Sequence, residues 1–473
     1  MQRKTKIVAT ISDKNCEYSF LKDLNKAGMD VVRLNTAHQS HEDAMKVIEN
    51  VRKVSDRIAI LIDTKGPEIR TCEAEKSLHV SYGDYVRIKG DPEGKSFNDI
   101  IYVTYEGFVN DVPVGSSILI DDGALALAVV EKDEEFLYCF VENDGVINEK
   151  KSINIPAVHV KLPALSEKDK GFIRFATDNN VDFIAHSFVR NKADVLAVQK
   201  ILDEKNSRIK IIAKIENNQG VDHLDEILDY AYGIMIARGD LAVEIPAEKI
   251  PMIQKKMVKK CIERRKPVIV ATQMLHSMIK SPRPTRAEVS DVANACIDHA
   301  DALMLSGETA SGAYPFIAVR TMAKIAEEVE SQGSTFIDVP YTIENKVTAY
   351  LSKAAVKASM RLNTRAIVAD SMSGDTIRAI AAYRGDNTIF AQVYDRRVMR
   401  ELALSYGVRA DFIKPLKNSA QPIRQSIQRL VHDRVFSKGD LITVLAGNFG
   451  EEHGASYIEI SSAGSFEKVK VIC

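Results

Sequence analysis

No stretch of this chain approaches the roughly 18 consecutive apolar residues of a membrane span, so no membrane partner is expected. The basic start, Met-Gln-Arg-Lys-Thr-Lys, leads into an apolar run, Ile7 to Ile11, that is too short for a signal-peptide core. An excess of one charge is also missing. Lys and Arg number 64 against 65 Asp and Glu, a formal net charge of −1, whereas nucleic acid is bound mainly by positive charge. The cysteines at 16, 72, 139, 261, 296 and 473 form no C-x-x-C pair, which argues against a disulfide framework and a cysteine zinc site. There is no Walker loop and no kinase-type glycine loop, so the common nucleotide scaffolds are excluded. What is left is a soluble, cytoplasmic globular protein. Its 473 residues suffice for two to four domains.

The first 70 residues read as strand, helix, strand, helix, strand. Lys6–Ile11, Val31–Leu34 and Ile58–Ile62 are the strand candidates. Ser40-His-Glu-Asp43 resembles a capping box ahead of the amphipathic run Ala44–Val54. From about 71 to 161 no good helical period appears. Short alternating runs replace it, at His79–Ile88, Ile100–Phe108, Ser117–Ile120, Leu125–Glu131 and Phe136–Glu142, with turn signals at Asp122-Gly123 and Asn143-Asp144-Gly145. From 162 the βα rhythm resumes behind a second capping box, Ser166-Glu-Lys-Asp169. Phe183–Val189, Ile209–Ile215, Gly233–Ala237, Val268–Thr272 and Ala302–Leu305 bring the strand count to eight. The fold class is therefore α/β: a (β/α)8 barrel (1–70 and 162–335) with an inserted all-β lid (71–161), then an α/β domain (336–473). An open doubly wound sheet is the alternative. In the last region a helix is expected over Asn345–Arg361, a strand over Ala366–Ala369, a helix over Thr376–Tyr383 and a strand over Thr388–Gln392.

In such barrels the working residues gather where strands end. The strand ends here carry Arg33 and Asn35, then Asp63-Thr64-Lys65-Gly66-Pro67-Glu68-Ile69-Arg70, Ser187, Lys214 and Glu216, Arg238-Gly239-Asp240, Thr272-Gln273 and Ser306-Gly307-Glu308. Lys214 and Glu216 are two apart on a strand, so both project to one face, roughly 6.6–7 Å apart along it. Glu216 and Asp240 close adjacent strands and can converge on one cation. Carboxylates with room for water and phosphate suit Mg²⁺. Cations to stabilise a moving phosphoryl group and a metal to bridge phosphate oxygens are what phosphoryl transfer requires. A salt-bridged barrel mouth without a ligand is the competing reading. His186, His276 and His299 show no metal-ligand spacing and are assigned structural roles.

These residues closely resemble those of the pyruvate kinase family. The matching segments are Thr5-Lys-Ile-Val-Ala-Thr-Ile, Val32-Arg-Leu-Asn35, Asp63-Thr-Lys-Gly-Pro-Glu-Ile-Arg70, Leu162-Pro-Ala-Leu-Ser-Glu-Lys-Asp169, Ala213-Lys-Ile-Glu-Asn217, Ile236-Ala-Arg-Gly-Asp-Leu241, Ala271-Thr-Gln-Met-Leu275, Pro282-Arg-Pro-Thr-Arg-Ala-Glu288 and Met304-Leu-Ser-Gly-Glu-Thr-Ala310. After about 335 only the architecture and scattered residues match. The resemblance implies transfer of phosphate from phosphoenolpyruvate to ADP, giving ATP and pyruvate, on a chain that forms a homotetramer. It implies that Glu216 and Asp240 hold Mg²⁺ (or Mn²⁺). It makes Lys214, Arg33 and Thr272 catalytic, and has them bind substrate together with Ser187, Gly239 and Asp240, the Gly239 and Asp240 N–H groups and Thr272 holding the carboxylate. Asn35, His38, Arg70 and the lid residue Lys151 would meet the nucleotide. Asn35, Asp63 and the Thr64 carbonyl would ligate K⁺. The family commonly has Ser where Ala37 stands, which removes one K⁺ ligand, whereas Glu68 matches K⁺-dependent members. Ser371, Ser373, Gly374 and Thr376 resemble the loop that holds an effector's phosphate, with acidic Asp375 where a basic residue often stands. A plain helix cap is the alternative there. Two rival functions are a metal-dependent lyase handling phosphoenolpyruvate or pyruvate on a similar barrel, and a non-catalytic metabolite binder.

Overall fold

The computed structural model describes residues 3–333, 336–340, 345–414, 421–447 and 454–467. Eight parallel strands close on themselves: β1 (Lys6–Thr10), β2 (Val31–Asn35), β3 (Ala59–Asp63), β4 (Phe183–His186), β5 (Lys210–Ile215), β6 (Gly233–Ala237), β7 (Val268–Ala271) and β8 (Ala302–Leu305). Ala9 of β1 is in register with Val32 of β2 on one side and Leu305 of β8 on the other. That double pairing closes the barrel and excludes the open sheet. Strands covered on both faces read as continuous apolar runs rather than alternating ones, and every residue of β1, β3 and β6 is buried. Inside, Val8, Val31, Leu61, Phe183, Ile212, Met235, Ile269 and Met304 pack as one cluster. Leu404, contributed from far along the chain, packs in that same cluster with no exposed surface. Truncating such a leucine to alanine costs about 2–5 kcal/mol.

Both capping boxes form. The Asp43 N–H donates to Ser40 Oγ (3.2 Å) and the Ser40 N–H to Asp43 (3.0 Å); Asp169 and Ser166 make the same pair, each at 3.1 Å. Asp169 uses its other oxygen to accept the Lys65 N–H at 2.9 Å, which pins the loop after β3 to the helix Glu167–Asp178.

Between β3 and that helix the chain builds a seven-stranded sheet around a separate core that includes Val86, Ile88, Ile118, Leu127, Cys139 and Val141. Burial alternates along Leu137–Val141, the pattern that marks a half-buried strand. Three details differ from the sequence reading. The run His79–Ile88 splits into Leu78–Val80 and Tyr85–Gly90 at a turn where Gly83 has φ +95°. The run Ile100–Phe108 ends at Val103, and Phe108–Asp111 is one helical turn, too short to display a period. Ile69 and Arg70, ascribed to the barrel, pair with Ile153 and Ser152 in this sheet, because a two-residue strand carries no alternation to read.

The last region is a five-stranded sheet, β9 (Ile367–Ser371), β10 (Ile389–Val393), β11 (Val408–Phe412), β12 (Leu441–Ala446) and β13 (Tyr457–Ser462), in the order β11-β10-β9-β12-β13 with β13 antiparallel. The helices Lys346–Arg361 and Asp375–Ala382 lie within a residue of their expected bounds. Cys16, Cys72, Cys139, Cys261 and Cys296 are buried and unpaired; Cys473 lies outside the described residues. No helix among the described residues is long and apolar enough to cross a membrane.

Candidate active site

The period-two geometry of the strands carries interior positions up to the barrel mouth. Val31, Leu61 and Ile212 belong to the interior cluster. Two residues on from each stand Arg33, Asp63 and Lys214, and Glu216 follows Lys214 on the same face. All four are nearly buried, at 9%, 1%, 9% and 2% exposure. Lys214 Nζ lies 2.9 Å from Glu216, 3.2 Å from Asp63 and 2.7 Å from Ser187 Oγ. Arg33 donates to Asp63 (2.6 Å) and to Thr10 Oγ1 (2.9 Å). Ser187 Oγ donates on to the Thr64 carbonyl at 2.7 Å. Burial opposes charge on Asp63 and on Lys214. Arg33 and Lys214 outweigh it for Asp63, whose carboxyl titrates below its ordinary value. Asp63 and Glu216 outweigh it for Lys214, which is held above the ordinary lysine range as an ammonium.

Glu216 and Asp240 behave oppositely. Burial pushes both above the usual carboxylate range and Lys214 offsets only part of it, while Asp240 adds to the rise of Glu216 and Asp122 to that of Asp240. Two adjacent carboxyl groups, Glu216 buried and Asp240 half-buried, that are short of positive charge are a donor set that a divalent cation could complete. No group of three or more His, Cys, Asp or Glu that could hold a metal ion occurs among the described residues. Two protein donors would leave the remaining positions to water and substrate oxygens, as Mg²⁺ prefers.

Beside this pair, Thr272 sits at φ +68°, a left-handed conformation that is unusual for a β-branched residue. Its Oγ1 donates to the Ala271 carbonyl (2.7 Å) and accepts the Gly239 N–H (2.8 Å). The Asp240 carboxylate takes a bond from its own backbone. The N–H of Gly239, expected to face a substrate carboxylate, is thus already satisfied by Thr272. Arg238 fixes this loop with two bonds to Asp291 (2.6 and 2.7 Å) and one to the Thr272 carbonyl (2.9 Å). Glu308 is not part of the mouth. It accepts the Ser306 and Leu275 N–H groups at 2.7 and 3.2 Å.

Residues 2–319 match the model of the pyruvate kinase barrel domain, and residues 350–461 that of the pyruvate kinase alpha/beta domain. The chain is 47% identical to a pyruvate kinase of Borreliella burgdorferi over 98% of both chains. It is 42% identical to one from Bacillus licheniformis, over 98% of this chain and 81% of that one. Its fold superposes on the crystal structure of a pyruvate kinase from Cryptosporidium parvum with TM-score 0.91 at 37% identity, covering 98% and 96% of the two chains.

The chain belongs to the pyruvate kinase family.

It is accordingly a phosphotransferase that moves phosphate from phosphoenolpyruvate to ADP, giving ATP and pyruvate, and the lyase alternative is not favoured. Against that reaction, the lid side of the site is informative. Arg70 and Ser152 are cross-strand partners, which sets Arg70 beside the strand that Lys151 precedes. Arg70 donates to Glu68 (2.8 Å) and to the Lys150 carbonyl (2.6 Å), while Lys151 pairs with Asp121 at 2.9 Å. The sequence reading took Asp122-Gly123 only for a turn. In the structure Asp122 is close enough to raise Asp240, and a β-carbon on Gly123 would come within 4.0 Å of Val243. The insert thus brings the acid Asp122 toward the barrel mouth. Adjacent acids on the turn were the available signal.

Asn35 and Asp63 are register partners at the mouth. Asn35 Oδ1 accepts the Ala37 N–H at 3.2 Å, and Lys168 Nζ donates to the Ala37 carbonyl, also at 3.2 Å. His38 is exposed beside them. His186 is fully buried against Thr64 Oγ1 (3.3 Å), and burial lowers it to about 4; His299 is likewise lowered to about 4. Both are neutral packing groups. In the distant loop, Gly374 at φ +85° donates its N–H to Ser371 Oγ at 2.9 Å. Ser373 and Arg378 both bond Asp375, and the Thr376 side chain is buried.

Proposed function

We propose that Lys214, with Arg33, carries the phosphoryl transfer at this mouth. The observation behind the reading is the ammonium of Lys214, buried and shared by Asp63, Glu216 and Ser187. A fixed ammonium in a low-dielectric site acts on charge that develops in the transition state and needs no reorganisation there. Arg33, held by Asp63 and Thr10, meets the substrate phosphate. A divalent cation, Mg²⁺ or Mn²⁺, held by Glu216 and Asp240, would neutralise phosphate and enolate oxygens. Thr272 with the Gly239–Asp240 loop receives the substrate carboxylate, which then competes with Thr272 for the Gly239 N–H, and Ser187 orients the Lys214 ammonium. On the other side Arg70 and Lys151 hold the ADP phosphates, with Asn35 and His38 beside them. Each is kept extended by an acid, Glu68 or Asp121, so little side-chain entropy is lost when a nucleotide arrives. Asn35, Asp63 and the Thr64 carbonyl form an oxygen-rich corner suited to K⁺, with a water in place of the missing hydroxyl at Ala37. The separate cores support reading the insert as a lid that closes over the nucleotide. The test is pyruvate formation from phosphoenolpyruvate, with and without ADP and with and without Mg²⁺. Turnover that needs no ADP would overturn the reading.

The Ser371–Thr376 loop is proposed as the effector's phosphate site, for a sugar or nucleoside monophosphate. Asp375 already occupies Ser373 and Arg378, and its charge opposes a second phosphate. Thermal shift and activity with monophosphates and with fructose 1,6-bisphosphate test this on the parent chain and on Asp375→Lys. Strong activation of the parent by the bisphosphate, unimproved by the substitution, would refute it.

A further inference from the structure

Where the insert meets the barrel lies a half-open cavity of about 190 Å³. Apolar cavities of about 150 Å³ accept a benzene-sized guest. One wall is apolar and belongs to the insert and its return to the barrel: Ile69, Ile153, Ile155, Val158 and Val160. The opposite wall comes from the loops after β4, β5 and β6, and it is polar. Its charges are unevenly matched. Arg190 is spent on Asp194, at 2.9 and 3.0 Å, and Glu68 on Arg70 at 2.7 Å. Glu244 accepts one N–H, from Asn218 at 3.1 Å, and Asp222 accepts the Asn218 amide at 3.0 Å; neither has an ion-pair partner among the described residues. The exposed imidazole of His159 faces Glu244 without pairing with it. Burial raises Glu244 above its ordinary value, and the Asn218 N–H and His159 offset only part of that rise.

We propose that this cavity is a second ligand site, for an organic monocation: an ammonium that meets Glu244, on an aliphatic or aromatic body that packs against Ile155 and Val158. A carboxylate-bearing guest of the same shape would face uncompensated acids, and a neutral one would leave Glu244 unpaired. The site is distinct from the barrel mouth, since neither Lys214 nor Arg33 lines it. It is nonetheless one residue removed: Phe188 lines the cavity, and its N–H donates to Glu216 at 2.6 Å. A guest lodged between insert and barrel therefore bears on both the lid's position and a metal-binding carboxylate.

The test is calorimetric titration of the full chain, saturated with Mg²⁺ and phosphoenolpyruvate so that the mouth is filled. Three probes of one shape are compared: 2-phenylethylammonium, 3-phenylpropionate and 2-phenylethanol. The ammonium is expected to bind at least tenfold more tightly than the other two. Glu244→Gln should weaken it tenfold or more, in line with the loss of a charge-assisted bond. Val158→Trp should fill the cavity and abolish binding. Each variant's turnover without probe reports that it is folded; if one fails this check, the other decides. No binding of the ammonium, equal binding of the carboxylate or alcohol, or parental affinity in a folded variant would overturn the proposal.

Discussion

Replacing Lys214 with Met removes a group that touches Asp63, Glu216 and Ser187 together. Two costs follow, and the structure separates them. The first is to stability. Removing one partner of a buried ion pair typically costs about 3–5 kcal/mol, because the other charge is left uncompensated. Here the cost should fall at the low end. Asp63 keeps Arg33 at 2.6 Å, and Glu216, already raised by burial, can take a proton. The second cost is to rate. Removing one preorganised donor from a developing anion costs about 10²–10³ in turnover, or roughly 2.7–4 kcal/mol of barrier. The two figures are similar, so loss of activity by itself would prove nothing. The assay is therefore turnover per folded molecule, with unfolding followed by circular dichroism and phosphoenolpyruvate binding by calorimetry. The chain has no tryptophan to report binding by its fluorescence. The expected result is a folded variant that still binds substrate and turns over at least a hundredfold more slowly. Lys214→Arg should fall between, since a planar fork does not reproduce a point charge. A folded Lys214→Met variant within about threefold of the parent would refute the assignment. So would one whose whole defect is lost substrate affinity.

Three further outcomes are expected. Mg²⁺ with phosphoenolpyruvate and ADP should protect residues 155–163 from limited proteolysis, because closure carries the insert toward the mouth; equal cleavage with and without ligands counts against a moving lid. Ala37→Ser should lower the K⁺ concentration for half-activation by about 2- to 10-fold, the worth of one net polar contact; an activity indifferent to K⁺ would remove the monovalent site. His186 is neutral in the fold and titrates at about 4 instead of 6.5, so the unfolded chain binds more protons between those values and stability falls as pH falls through them. About 3 kcal/mol is at stake across that window. Urea unfolding at pH 7 and pH 4.5 should show a smaller acid loss for His186→Gln than for the parent; equal losses would show that His186 is not the group responsible.

The barrel was legible because its signals are local and repeated. Val, Ile and Leu runs ended by charged residues recur at the β1–β8 positions, and a parallel sheet needs no long-range pairing information to be recognised. The insert was less legible. Strands such as Ile69–Arg70, Gly145–Ile147 and Ser152–Asn154 are two or three residues long, and partners fixed elsewhere in the chain define them. The site followed the same rule. Arg33, Asp63, Lys214 and Glu216 were readable because each lies on an interior register position at a strand end. The Thr272–Gly239 bond, the Arg238–Asp291 clamp and the approach of Asp122 to Asp240 were not. Each joins residues that only the folded chain brings together, and none leaves a periodic mark.

The charge balance of the mouth explains why its groups hold one another in the ligand-free chain. Asp63, Glu216 and Asp240 stand against Arg33 and Lys214, one negative charge in excess. That excess is localised. Asp63 has both cations near it and titrates low, while Glu216 and Asp240 share what remains of Lys214 and titrate high. A trianionic substrate could not enter such a site unaided, since two like charges about 4 Å apart repel by about 4 kcal/mol at an effective dielectric of 20. A divalent cation at Glu216 and Asp240 would turn the excess of one into a deficit of one, and a monovalent cation near Asp63 would make it a deficit of two. The polyanion would then meet a site of opposite sign, and Lys214, no longer shared with Glu216, would be free to act on the phosphoryl group. On this account Lys214 and the metal are coupled. Lys214→Met should bind Mg²⁺ more tightly than the parent while turning over more slowly, because the carboxylates have lost the competing cation. Unchanged or weaker Mg²⁺ affinity in that variant would show that Lys214 and the metal do not share Glu216.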